Sequence, residues 1–346
     1  MNTARHLALL FLTLGLLLPG CRAAPPDCAR AEVFCVGLVT ASGGIDDRAL
    51  NQAAWEGLQQ AGAIGMADWT AYIESAERRD YGENIRFFAS HDYDAIVTVG
   101  SDLAEATSTA AERYPHIYFI GVDQTPPAAA EPLPNLASLA FPEDQLGFLA
   151  GALAARMTSA GKVGAVLGSD AWASMRRYGE GFRAGVLYAD PAVEAVVVYH
   201  NEVEAGRSLD DFEWGALTAN TLIDGEVDVL FAAGGQTAAG ALLSGAARGI
   251  YVIGSEADQY PLLPEARPRL LTSAVKQVAP GVILLVTAAH EAQAGKAGFP
   301  SGLLPGGVDL APYHETAPLV GPEIQQEMLT LLDGLRTGVI QTGVLP

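Results

Sequence analysis

Short apolar runs alternate with stretches of helical spacing along most of the chain. The runs at residues 33–39, 95–99, 117–122 and 136–141, the first of them rich in β-branched residues, are each too short to read as a helix. Between them, 47–61 and 102–113 place apolar residues at three- and four-residue intervals. Strand and helix in alternation predict parallel sheets covered by helices on both faces. The pattern restarts past residue 141. It predicts helices at 143–157, 175–187, 211–223, 275–292 and 322–336, and strands at 163–167, 193–199, 227–232, 251–253, 270–273 and 308–311. Two α/β units of similar size, joined near Phe141, are expected.

A different pattern opens the chain. Arg5 precedes an apolar stretch from Leu7 to Leu18, followed by Pro19-Gly20-Cys21. A membrane span needs about 20 apolar residues, so this stretch reads as a secretory signal over residues 1–20. Cleavage before Cys21 would expose a thiol able to accept a diacylglycerol, as in a bacterial lipoprotein. Plain secretion is the alternative, because Pro19 is unusual at its position. Two or more acyl chains would hold the body at a membrane surface. Residues 21–32, small and polar with Pro25 and Pro26, read as the lipidated tether.

Composition narrows the partners. The net charge of −20 repels phosphate backbones and anionic lipid, which argues against a nucleic-acid ligand. Only Lys162, Lys276 and Lys296 among the 20 basic residues are lysine, so each needs a reason. Beyond Cys21, Cys28 and Cys35 could form one small-loop disulfide outside the cytoplasm, or Cys35 could simply be buried in its strand. Two cysteines without clustered histidine give no metal site, and nothing in the sequence implies a cofactor.

Candidate chemistry sits at strand ends. Gly43-Gly44-Ile45-Asp46-Asp47 leads into Asn51 at a strand-to-helix turn. Such a turn can aim backbone N–H groups into a crevice, or its aspartates can merely cap the helix. Gly100-Ser101-Asp102, Gly121-Val122-Asp123, Gly234-Gly235-Gln236 and Gly254-Ser255-Glu256 with Asp258 follow other strands. One such turn is ordinary chemistry. Their recurrence points to a ligand in the crevice outside the strand ends, and the acceptors suit a neutral ligand with hydroxyl and N–H donors. Lys276, read as opening a helix, opposes the helix dipole and calls for an acidic or ligand partner. His200, His290 and His314 have no nucleophile motif nearby and read as structural.

These pieces resemble the basic membrane protein family of bacterial lipoproteins, whose best-understood members are purine nucleoside receptors. The resemblance rests on Gly44-Ile45-Asp46-Asp47 with Asn51 through Leu58, Leu149-Ala150-Gly151 through Gly164, Gly181 through Gly185, Asp228 through Gly235, Asp258-Gln259, and Thr272-Ser273 with Lys276. It implies a type I periplasmic-binding-protein fold, two Rossmann-like lobes with parallel sheets joined by a three-strand hinge. The implied lobes are 33–138 plus 274–312 and 139–273 plus 313–346, the long helix from Val275 crossing back to the first.

The implied function is a monomeric, extracytoplasmic, non-enzymatic solute-binding protein on the cell membrane. It would hand a purine nucleoside to an ABC permease and its ATPase. Riboflavin is a variant ligand within the family. A nucleoside hydrolase, or a signalling receptor on the same fold, is the rival from another class. The implied ligand residues are Ser42, Asp47, Leu50, Asn51, Ser101, Asp123, Gly234, Glu256, Asp258 and Lys276. Where family members stack the base on aromatics, this chain has Leu50 and Val203, with Phe212, Trp214 or Tyr178 as conceivable substitutes.

Overall fold

The computed structural model describes residues 26–41, 44–47, 49–126, 132–204 and 206–344. The signal segment, Cys21 and Ser42 lie outside them. The first unit runs β1 (Cys35–Val39), α1 (Leu50–Ala63), β2 (Trp69–Ile73), α2 (Tyr81–Ala89), β3 (Ala95–Val99), α3 (Ala104–Arg113), β4 (Tyr118–Val122) and β5 (Leu136–Ala140). The second runs α4 (Glu143–Met157), β6 (Lys162–Leu167), α5 (Ala173–Ala189), β7 (Glu194–Tyr199), α6 (Phe212–Asp224), β8 (Val229–Ala233), α7 (Gly235–Ala247), β9 (Tyr251–Glu256), the short α8 (Gln259–Leu262) and β10 (Leu270–Lys276). The chain then returns to the first lobe through α9 (Val278–Gln293) and β11 (Gly302–Pro305). It ends on the second with β12 (Val308–Leu310) and α10 (Ala317–Arg336).

Two six-stranded sheets result, ordered β2-β1-β3-β4-β5-β11 and β7-β6-β8-β9-β10-β12. Among the described residues every strand pair is parallel except β10 with β12. The central strands β1, β3 and β8 are buried along their whole length. That is why they appear in the sequence as continuous apolar runs rather than alternating ones. The helix α9 lays Val278, Val282, Leu285 and Val286 into the same core as Ala54 and Leu58 of α1. The helix α10 places Met328, Leu331 and Leu332 among the residues of α4.

Three crossings therefore join the lobes, between β5 and α4, β10 and α9, and β11 and β12. They are tied side by side: Gly306 N donates to Ala140 O at 2.7 Å, and Gln277 N donates to Gly307 O at 2.8 Å. The sheets move two expected boundaries. Residues 274–276 and 308–310, expected in the first lobe, belong to the second sheet, because β10 keeps its pairing with β9 up to Val275 opposite Glu256 and β12 adds to its far edge. Consequently the expected helix at 275–292 starts only at Val278.

Glycine sets the tightest helix contact. A methyl group on Gly147 or Gly151 of α4 would lie 2.2 or 2.1 Å from the carbonyl oxygens of Tyr178 or Phe182 on α5. Gly181 and Gly185 of α5 face α4 backbone in the same way. These two helices thus meet backbone to backbone, and larger side chains would force them apart. Cys28 and Cys35 are disulfide-bonded, tying the start of the described chain to β1.

Candidate ligand site between the lobes

The strand ends of both sheets face one another across the crossings, and four charged side chains from four places in the chain converge there. Lys276 ends β10 and Glu143 opens α4, so each sits at a crossing. Asp123 follows β4 of the first lobe, and Glu256 ends β9 of the second. The Lys276 Nζ lies 2.9 Å from Asp123 Oδ1, 3.0 Å from Glu143 Oε1 and 3.3 Å from Glu256 Oε2. Its side chain is 1% exposed. The rings of Phe141 and Tyr178 flank the ammonium at 5.6 and 5.8 Å. The acidic partner expected of Lys276 is thus three carboxylates.

Burial alone would lower the Lys276 ammonium, but Asp123, Glu143 and Glu256 outweigh it and hold the lysine well above its ordinary range. Burial likewise pushes Glu143 up, yet Lys276 and Arg177 together bring it below the usual carboxylate range. Arg177 Nε donates to Glu143 Oε2 at 2.7 Å. Asp123 and Glu256 go the other way. Burial raises both, and the attraction of Lys276 offsets this only in part. Two cations facing three buried carboxylates leave one negative charge in excess, which explains why the carboxylates diverge.

Glu256 is the one of the three carboxylates that lines a cavity between the lobes. The Tyr178 hydroxyl donates to its Oε1 at 3.0 Å. Its Oε2 makes no hydrogen bond among the described residues, while sitting at ion-pair distance from Lys276. Ala257 N donates to Ser255 O at 2.8 Å, closing a three-residue turn around Glu256, whose φ is +68°. Asp123 also has a positive φ, +57°. Left-handed backbone in non-glycine residues costs energy and clusters at functional sites. A narrow cavity of about 20 Å³ adjoins Glu256. It is walled by Asp47 and Ala49 from the first lobe and by Gly235, Gln236 and Ser255 from the second.

The other expected residues divide. Asp47 lines this cavity, and its carboxylate accepts from the backbone N–H groups of Ala49, Asn51 and Gln52 at 2.9–3.1 Å, which is the capping reading of the turn. Burial raises its carboxyl, against those donors. Asn51 is buried and bonded to the loop before its helix. Its amide donates to Gly44 O and accepts from Ala41 N, pinning the preceding loop to the helix. Leu50 packs on the first-lobe core. Ser101 is exposed in the turn after β3. Gly234 adopts φ +117° between β8 and α7, a conformation that favours glycine. Asp258 caps α8 through Tyr260 N and bonds His314 Nε2 at 2.8 Å, a structural pairing.

None of the aromatic substitutes lines the cavity. Trp214 stacks on His200 at 4.0 Å, Phe212 is exposed on α6, and Tyr178 is fully buried against Phe231. The charged residues of this cluster that the sequence reading does not single out are Glu143 and Arg177, while Tyr178, named there only as a stacking ring, contributes its hydroxyl instead. A glutamate in the first turn of a helix is ordinary dipole chemistry, so Glu143 carried no signal by itself. A usable hint was that Glu143 follows Pro142 directly at the junction between the two α/β units.

Residues 34–320 match the sequence profile of the Bmp family, described as PnrA-like ABC transporter substrate-binding proteins. The chain is 31% identical over 245 residues to the CD4+ T-cell-stimulating antigen of Listeria innocua, covering 68% of this chain and 66% of that protein. It is 27% identical over 257 residues to the ABC transporter nucleoside-binding protein BmpA of Lactococcus lactis, covering 70% of each. Among solved structures, an ABC transporter solute-binding protein of Aeropyrum pernix superposes with a TM-score of 0.71 at 22% identity, over 89% of this chain and 92% of that one. This likeness agrees with the paired parallel sheets.

Proposed function

The chain belongs to the PnrA-like family of ABC transporter substrate-binding proteins, and we propose that it captures a purine nucleoside between its lobes and passes it to an ABC importer without chemical turnover. The observation that supports this reading is Glu256, which lines the cavity and whose Oε2 accepts no hydrogen bond among the described residues while lying 3.3 Å from the Lys276 ammonium. A carboxylate and an ammonium side by side offer an acceptor and a donor to the hydroxyls of a ribose. The name of the L. lactis relative points the same way.

The lobes lie close together in this arrangement. A cavity of about 20 Å³ is far below the ~300 Å³ or more that a small-molecule site occupies. Ligand access therefore requires the lobes to part, and the three short crossings are where the backbone can bend. Cys21 would hold the closed complex at the membrane, where the permease reads it.

Isothermal titration of the mature protein against purine and pyrimidine nucleosides, free bases, riboflavin and sugars tests the proposal. A purine nucleoside should bind best and be recovered unchanged. Preference for a free base, or release of ribose, would sink it.

A further inference from the structure

Tyr178 is one of the largest fully buried side chains in the protein, and its ring has an ordinary packing role against Phe231. Its hydroxyl does not. A buried phenol O–H needs an acceptor, and the one it takes is Oε1 of Glu256, a residue that lines the cavity. A carboxylate has two oxygens, and fixing one by a directional bond fixes where the other points. The backbone beneath it is already committed to a positive φ. The ring also flanks the Lys276 ammonium at 5.8 Å, so a single side chain touches both polar groups of the site. Its helix cannot drift, because Gly147, Gly151, Gly181 and Gly185 seat α5 backbone to backbone on α4, whose first residue is Glu143.

We propose that Tyr178 is a positioning residue for ligand capture: its hydroxyl holds Glu256 ionised and turned so that Oε2 meets the ligand beside Lys276. This rests on the solute-binding reading above. The groups facing Glu256 are Tyr178 from α5, Lys276 from β10, Asp123 from the first lobe and Glu143 from α4, with Arg177 behind Glu143. Among the described residues only Tyr178 donates a neutral hydrogen bond to it, so Tyr178→Phe removes one donor without changing the charge count or the aromatic ring.

Two measurements test this. In the ligand-free protein, carboxyl carbon NMR should show Glu256, assigned through Glu256→Gln, protonating about one pH unit higher in Tyr178→Phe than in the parent, because the lost bond favoured the ionised form. In titration with inosine, Tyr178→Phe should bind about tenfold more weakly at pH 7.5. The deficit should widen as the pH falls, and it should largely vanish in a Glu256→Gln background. A packing role alone would lower the melting temperature without moving the NMR midpoint. An unmoved midpoint, or affinity losses that simply add in the double variant, overturns the proposal. If the parent takes up no nucleoside, the functional reading fails, and the midpoint alone decides the role of Tyr178.

Discussion

Replacing Lys276 by Met removes the only lysine among the converging side chains and leaves Asp123, Glu143 and Glu256 buried within reach of one another. Arg177 still compensates Glu143, so about two uncompensated carboxylates remain. Removing one partner of a buried ion pair costs about 3–5 kcal/mol, because the remaining charge stays desolvated. A lobe-sized domain loses about 2–4 °C of melting temperature per kcal/mol, so ligand-free Lys276→Met should melt roughly 10 °C below the parent at pH 7.5.

The pH dependence gives a sharper check. Asp123 and Glu256 have folded-state values raised above their unfolded ones, so their contribution to stability is present at low pH and is lost as pH rises through the folded value. Without the ammonium both should rise further. The deficit should therefore shrink on going from pH 7.5 to pH 5, as protonation quenches the repulsion. Thermal unfolding followed by circular dichroism at both pH values measures this. Lys162→Met is the control, since Lys162 makes only a 3.4 Å pair with Glu194 at the start of β6. A loss at Lys276 no larger than at Lys162, or one independent of pH, would refute the assignment of Lys276 to the three carboxylates.

Two further outcomes are expected. Cys21→Ser should move the protein from the membrane to the soluble envelope fraction on cell fractionation, and unchanged membrane association would mean a different anchor. Gly234→Ala forces a side chain into φ +117° with its Cβ 3.0 Å from Gly168 N. It should cost about 1–3 kcal/mol in chemical denaturation, and a neutral result would show that the β8–α7 turn can relax.

The secondary structure that was legible in the sequence was that with a strong local signal. The strands β1, β3, β4 and β5 appear as apolar runs because both faces of a covered parallel sheet are buried. The helices α4, α5 and α6 were foreseen to within a few residues. The strands β2 and β11 were not, because they lie at sheet edges, where half-exposed residues break the apolar run. The helix α7 was missed for the opposite reason. Its residues, Gly235 to Ala247, are nearly all small or apolar and show no polar face from which to read a helical period.

For the site, the sequence by itself determined the chemistry available at the strand ends. Glu256 and Asp123 are each identifiable as polar residues after a strand, and Lys276 as a lysine at a helix start in want of an acidic or ligand partner. Only the tertiary structure decided that these are partners of one another, that Glu143 and Arg177 complete the charge balance, and that Asn51 is spent on its own loop. The reason is distance along the chain: Asp123 and Lys276 are 153 residues apart and meet only because the chain crosses between the lobes three times. Local sequence can specify a turn or a cap. Which charges share a buried space is set by the path of the whole chain.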